Sequence, residues 1–173
     1  MTGDRIAKKI GFEPKIQGLS KWPDENIKFL PDDEGEIKEI AKFLINKYRT
    51  DLQNVNIAYV FKQKASKSGD SVILGQAKIE SDLQKALHSY DAVVIIGFDV
   101  WVELDLDQKL RLVLHELEHL IRDLESGKIK TQSHTVEEFP LVMQIFGPAN
   151  DDQINFIQAW ERFKNDNPGS ATI

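Results

Sequence analysis

The order of apolar and polar positions divides the chain into segments. In "DDEGEIKEIAKFLINKYRTDL" (32–52) the apolar residues Ile37, Ile40, Ala41, Phe43, Leu44 and Tyr48 recur at helical spacing. Acids open this segment, and Lys47 and Arg49 close it, as the helix dipole favours. "NIAYVFK" from 56 and "SVILGQAKIE" from 71 are rich in Val, Ile and Tyr and predict two strands. The basic, Ser/Gly-containing stretch "FKQKASKSGD" (61–70) joins them as a solvated hairpin loop. "SDLQKALHSY" predicts a short helix capped by Ser81, and "DAVVIIGF" a buried strand.

A long helix follows. Asp105 is its N-cap, with Gln108 placed for a capping box. Leu106, Leu110, Val113, Leu114, Leu117, Ile121 and Leu124 form its apolar stripe, and Gly127 its stop. "HTVEEFPLVMQIFG" predicts a helix that either starts near Phe139, with Pro140 in its first turn, or kinks there. "DDQINFIQAWERFK" (151–164) predicts a final helix. Helix, strands, long helix and further helices in this order are an α+β layout, with a small mixed or antiparallel sheet packed on the long helix. The expected organisation is a loosely ordered N-terminal arm (1–32) docked through Trp22 and Phe29–Leu30, one domain (33–165), and a frayed tail (166–173).

Composition narrows the classes. The 173 residues are 41% hydrophobic and 29% charged, as in a soluble globular protein. No apolar run is long enough to cross a bilayer, and the N-terminus lacks an export signal, so the expected location is the cytoplasm. A net charge of −6 argues against nucleic acid as a partner. There is no cysteine, which excludes disulfides, thiolate metal sites and a cysteine nucleophile. Any metal must be held by His, Asp or Glu.

That restriction matters because "LVLHELEHL" reads H-E-x-x-H. His115 and His119 are four apart, so one helical face carries both imidazoles and can bind one Zn²⁺. Glu116 points around the helix, where it reaches a water rather than the metal. It is placed to act as general base while zinc acidifies the water and polarises a carbonyl. A helix whose solvated face merely spells these letters is the plain alternative. In that account Glu118 pairs with Arg122 at i,i+4 and has no catalytic task.

A catalytic zinc takes three protein ligands and keeps one open position. His134 is the favoured third donor, as the one histidine downstream of the motif. Glu137 and Glu138 are its rivals; Glu138 could instead close a capping box with Thr135. His88 reads as structural or exposed, and Phe98 and Trp101 as core or lid aromatics. Arg111 and Tyr90 could supply oxyanion contacts. Asp123 could support a ligand imidazole, although a solvated helix end is the simpler account. Co²⁺, Mn²⁺ or Ni²⁺ would accept similar donors.

The stretches "VILGQAKIESDLQKALHSYD", "DAVVIIGFDVWVELDLDQKLRLVLHELEHL" and "HTVEEFPLVMQIFG" together resemble the putative phage metallopeptidases, a zincin-like family. The likeness covers roughly residues 55 to 147. The H-E-x-x-H with a later histidine is also similar to SprT-like zinc proteases. By that likeness His115, His119 and His134 are ligands and Glu116 is the base. Phe139 lies one position later than in the SprT-like pattern, and the Cys-rich zinc ribbon of those proteases is absent. The resemblance implies a zincin-like fold, bound zinc and a peptide or protein substrate laid along a sheet edge. Its non-enzymatic alternative is a zincin-derived interaction module in phage–host biology.

Overall fold

The computed structural model describes residues 5–32, 34–123, 125–133, 138–149 and 154. The chain divides into two compact units, Met1–His134 and Thr135–Ile173. The first unit is built on a four-stranded sheet. Its strands are β1 (Phe29–Pro31), β2 (Ile57–Lys62), β5 (Gly75–Ile79) and β6 (Ala92–Gly97), in the order β1-β2-β6-β5. β2 and β6 run parallel, and the two edge strands are antiparallel to their neighbours. The sheet is therefore mixed, and with the helices around it the fold is mixed α+β.

The strands "NIAYVFK" and "SVILGQAKIE" do not pair with each other, because β6 lies between β2 and β5. The second strand is also broken at Leu74. Its first part, β4 (Ser71–Ile73), pairs with β3 (Ser66–Ser68), so the basic segment is a small two-stranded ribbon rather than a plain loop.

One face of the sheet is the core. Along β2, Ile57, Tyr59 and Phe61 are buried; along β6, Ala92, Val94 and Ile96 are buried. Period-two alternation sends Val60, Lys62, Val93 and Ile95 to the opposite face. The core face is covered by α2 (Glu36–Tyr48) and α5 (Leu106–Glu118). Ile37, Ile40, Ala41 and Leu44 of α2 are fully buried, as are Leu110, Val113, Leu114 and Leu117 of α5. Both stripes follow the three-and-four spacing of the sequence.

The caps are specific. Asp105 and Gln108 form the capping box of α5, and Ser81 and Gln84 that of α3 (Asp82–His88). At α2 the cap comes from outside the helix. The Asp32 carboxylate accepts from the amides of Ile37 (2.8 Å) and Lys38 (3.2 Å). A Cβ on Gly35 would stand 1.8 Å from Asp32 Oδ1, so this cap requires glycine there.

The described part of the N-terminal segment contributes structure to this unit. α1 (Arg5–Ile10) buries Ala7 and Ile10, and β1 closes one edge of the sheet. Carboxylates far along the chain hold the segment. Asp107 accepts from the amides of Ile6 (2.9 Å) and Ala7 (2.8 Å), and Glu39 from those of Lys15 and Ile16. Trp22 packs on Phe98 of the short α4 (Phe98–Trp101), with ring centroids 5.2 Å apart.

The long helix is shorter than its apolar pattern predicts. α5 ends at Glu118, with His119 as C-cap, and the chain turns into β7 (Leu120–Arg122), which pairs with β8 (Ile129–Thr131). Ile121 is 38% exposed and is not part of the stripe; Leu124 lies outside the described residues. Gly127 has φ +66° and serves the β7–β8 turn, not a helix stop. A side chain distant in sequence fixes the break. Arg49, just past α2, donates to the carbonyl of Leu117 (2.6 Å) in the last turn of α5 and to that of Leu120 at the start of β7.

In the second unit, α6 (Pro140–Phe146) starts with Pro140 in its first turn and Phe139 as N-cap, without a kink. The segment 151–164, expected as a final helix, lies outside the described residues except Ile154.

Candidate metal centre

His115 stands in the last turn of α5, and His119 at its C-cap still has helical backbone angles (φ −64°, ψ −19°). The i,i+4 relation therefore survives the helix end. The two imidazole centroids are 5.0 Å apart, with the rings inclined at 77°.

His119 is clamped by Gln132, one residue beyond β8. Its Nδ1 is 2.8 Å from the Gln132 carbonyl oxygen, and its own carbonyl accepts from the Gln132 amide, also at 2.8 Å. The Gln132 side chain donates to the Glu118 carbonyl at 2.6 Å. An Nδ1–H held by a carbonyl makes Nε2 the basic nitrogen and fixes the ring plane. This is the support considered in sequence for Asp123. Asp123 instead organises the β7–β8 turn, accepting from the amides of Glu125 and Ser126 and pairing with Lys130.

Glu116 is buried, with 3% of its surface exposed. It lies beneath the first residue of β5, where an added Cβ on Gly75 would stand 2.5 Å from Glu116 Oε1. Glycine thus makes room for a carboxylate between helix and sheet edge. Burying a carboxylate costs several kcal/mol. The four fully buried aliphatic side chains of α5, Leu110, Val113, Leu114 and Leu117, contribute roughly 1.5–3 kcal/mol each and outweigh it, so packing holds the acid where solvation alone would not.

Glu118 is not a solvated partner of Arg122. It forms a 2.9 Å ion pair with Arg49, both side chains being about nine-tenths buried. Burial pushes the Glu118 carboxyl above its usual range, and the Arg49 charge opposes that shift. Arg49 also pairs with Asp51 at 2.8 Å. The guanidinium thus ties Asp51, just beyond α2, to the carbonyl end of α5 and the acid inside the motif. Its position in sequence carries no sign of this, because the partners are almost seventy residues away.

The other candidates separate by place. Trp101 and Phe98 are core: Trp101 is fully buried, donates to Glu36 at 2.9 Å and carries Lys109 over its ring. His88 and Tyr90 neighbour each other, with centroids 5.5 Å apart, beyond the Ile79–Ala92 end of the β5–β6 pair. Gly75 and Glu116 belong to the opposite end, where Gly75 faces Ile96. Arg111 lies one helical turn before His115. His134 and Glu137 lie outside the described residues. Glu138 is buried and accepts from the Phe139 amide at 3.0 Å.

Among the described residues no three His, Asp or Glu side chains cluster as a complete metal cage. The two imidazoles, one with its tautomer fixed, still suit a borderline metal such as zinc, given one further donor. A buried acid beside paired imidazoles on a helix is an arrangement of the metallohydrolase class. The chain belongs to the family described as putative phage metallopeptidase, whose model matches residues 30–165. Membership in that family implies a metal ion. No curated protein and no solved structure matches the chain. None of the described helices is long and apolar enough to cross a membrane.

Proposed function

We propose that the protein is a zinc-dependent peptidase with a zincin-like site, in which His115, His119 and His134 hold the metal and Glu116 is the general base. The single observation that supports this most is the placement of Glu116, buried beneath an edge strand and next in sequence to a histidine paired with His119. When bound, Zn²⁺ supplies Lewis acidity, lowering the pKa of water toward about 7 and polarising the scissile carbonyl.

The chain's own residues do the rest. Glu116 takes the proton from the attacking water and passes it to the leaving amine. Gln132 keeps His119 in the ligating tautomer. Arg49 fixes the end of α5 and so the spacing of the two imidazoles. β5 is the sheet edge nearest the acid, and an extended peptide would lie along it as a further strand.

His134 is supported as third ligand by the course of the chain. The backbone returns to His119 at Gln132, and two residues span at most roughly 7 Å, within reach of the same site.

The test is Glu116→Gln. The variant keeps zinc and loses cleavage of a mixed peptide library that the parent cleaves. A parent that binds zinc but cleaves nothing in the library, or a variant that retains cleavage, contradicts the assignment. The first result would point to the interaction-module reading.

A further inference from the structure

We infer that the peptide taken along β5 is acidic, with a carboxylate received by Lys78 and drawn by the field of Lys62, Lys64 and Lys67 on the outer face of the sheet. This deepens the proposed function and rests on its reading of β5 as the substrate edge. Register decides which substrate side chains reach which face. Gly75 and Ala77 lie opposite Ile96 and Val94, on the core face where Glu116 sits. Gln76 and Lys78 lie opposite Ile95 and Val93, on the outer face. A strand added beside β5 alternates in the same way, so every second side chain falls on the outer face next to Gln76 and Lys78.

A hollow opens there between the β3–β4 ribbon and the sheet. Lys62, Ser66, Leu74, Gln76, Lys78 and Ile95 are among its lining residues, and no carboxylate lines it. Lys62 reaches Ser66 Oγ at 2.7 Å, a neutral partner. Lys64 and Lys67 stand on and beside the ribbon, both exposed. Among the described residues none of these four lysines forms an ion pair. The nearby acid Asp99 is turned to the amides of Ala65 and Val100. Four lysines outside any ion pair, against the exposed Asp70 in the ribbon turn, make a local field that favours an anionic segment on a chain of net charge −6.

A peptide fits this place better than a nucleic acid does. Among the described strands β5 pairs with β6 alone, and the donors and acceptors of such a strand edge are matched only by another polypeptide backbone. The acidic remainder of the surface repels a long polyanion. An exposed lysine–carboxylate pair changes affinity by up to about fivefold, and the field of three further lysines brings the preference to the order of tenfold.

The test uses the full chain carrying Glu116→Gln, so that peptide is not consumed. Three labelled peptides of roughly ten residues, alike except for Glu, Gln or Lys at alternate positions, are titrated by fluorescence anisotropy. The Glu peptide is expected to bind about tenfold tighter than the Gln peptide, and the Lys peptide most weakly. The preference should collapse in Lys62→Gln/Lys78→Gln and in about 0.5 M salt. Equal binding of the Glu and Gln peptides, a preference untouched by the lysine exchanges, or no binding of any peptide overturns the inference. So does an oligothymidylate that displaces the Glu peptide at lower concentration than unlabelled Glu peptide. No cleavage is read, so this outcome is separate from the fate of the hydrolytic assignment.

Discussion

His119 Nδ1 lies 2.8 Å from the carbonyl oxygen of Gln132, thirteen residues along the chain. That contact fixes the tautomer of one imidazole of the motif, and it brings the backbone back to the motif two residues before His134. The helix offers two imidazoles from one side, so a tetrahedral site needs a donor from another segment. His134→Ala should therefore weaken zinc binding by more than the roughly 10–100-fold typical of losing a supporting contact. Glu137→Ala and Glu138→Ala should stay within a few-fold of the parent, on the order of what a residue outside the ligand set contributes. Competition titrations against a chelator, after circular dichroism has shown each variant folded, measure this. Loss of binding in a glutamate variant with His134→Ala intact would move the third ligand to that glutamate.

The close approach of Gly75 to Glu116 makes a second prediction. An alanine Cβ at Gly75 would stand 2.5 Å from Glu116 Oε1, so the carboxylate or the strand must shift. Gly75→Ala should retain zinc and lose roughly a hundredfold in kcat/KM, the scale of a displacement of about 1 Å in a catalytic group. Unchanged cleavage would mean that the carboxylate has freedom to move and is not held by this packing.

Arg49 gives a prediction about stability. Its guanidinium satisfies the carbonyls of Leu117 and Leu120 and pairs with the buried Glu118. Arg49→Met should destabilise the fold by about 3–5 kcal/mol, because it leaves the buried Glu118 carboxylate without its counter-charge and removes the donor to the Leu117 and Leu120 carbonyls. Glu118→Gln should destabilise less, since Arg49 keeps Asp51 and both carbonyls. Denaturant unfolding of the two variants checks the order; the reverse order would show that Asp51 and the carbonyls are not enough to hold Arg49.

The β7–β8 turn should respond to acid. The amide of Ser126 and the Lys130 ammonium depress the Asp123 carboxyl to about 2 from its ordinary 3.8. A depressed carboxyl stabilises the folded turn fully above its unfolded pKa, and that contribution is lost as pH falls through the folded value. The protection of the Ser126 amide, its exchange taken relative to the intrinsic rate at each pH, should hold at about pH 5 and fall between about pH 4 and pH 2, whereas Asp123→Asn should remove that step. An unchanged step in the variant would assign it to another group.

Much of this was legible in the sequence because it is local. The stripes of α2 and α5, the capping boxes at Ser81 and Asp105, and strand β6 follow from spacing and cap chemistry within a few residues. The early end of α5 was not legible, since Ile121 and Leu124 continue the helical spacing and what stops the helix is Arg49. The roles of Asp107 and Glu39 in holding the N-terminal segment were hidden for the same reason, because each pairs with amides far along the chain. The H-E-x-x-H motif showed which residue types meet. Gly75 and Gln132, which position them, look like an ordinary strand glycine and an ordinary turn residue until the chain is folded.

The most direct measurement is the metal content of the untagged protein, purified without chelator, beside His115→Ala and His119→Ala. The parent should carry about one zinc per chain, lost in both variants and released from the parent on acidification, because protonated imidazole cannot ligate. A parent that carries no zinc and takes up none near neutral pH, or variants that bind it as the parent does, would contradict the account.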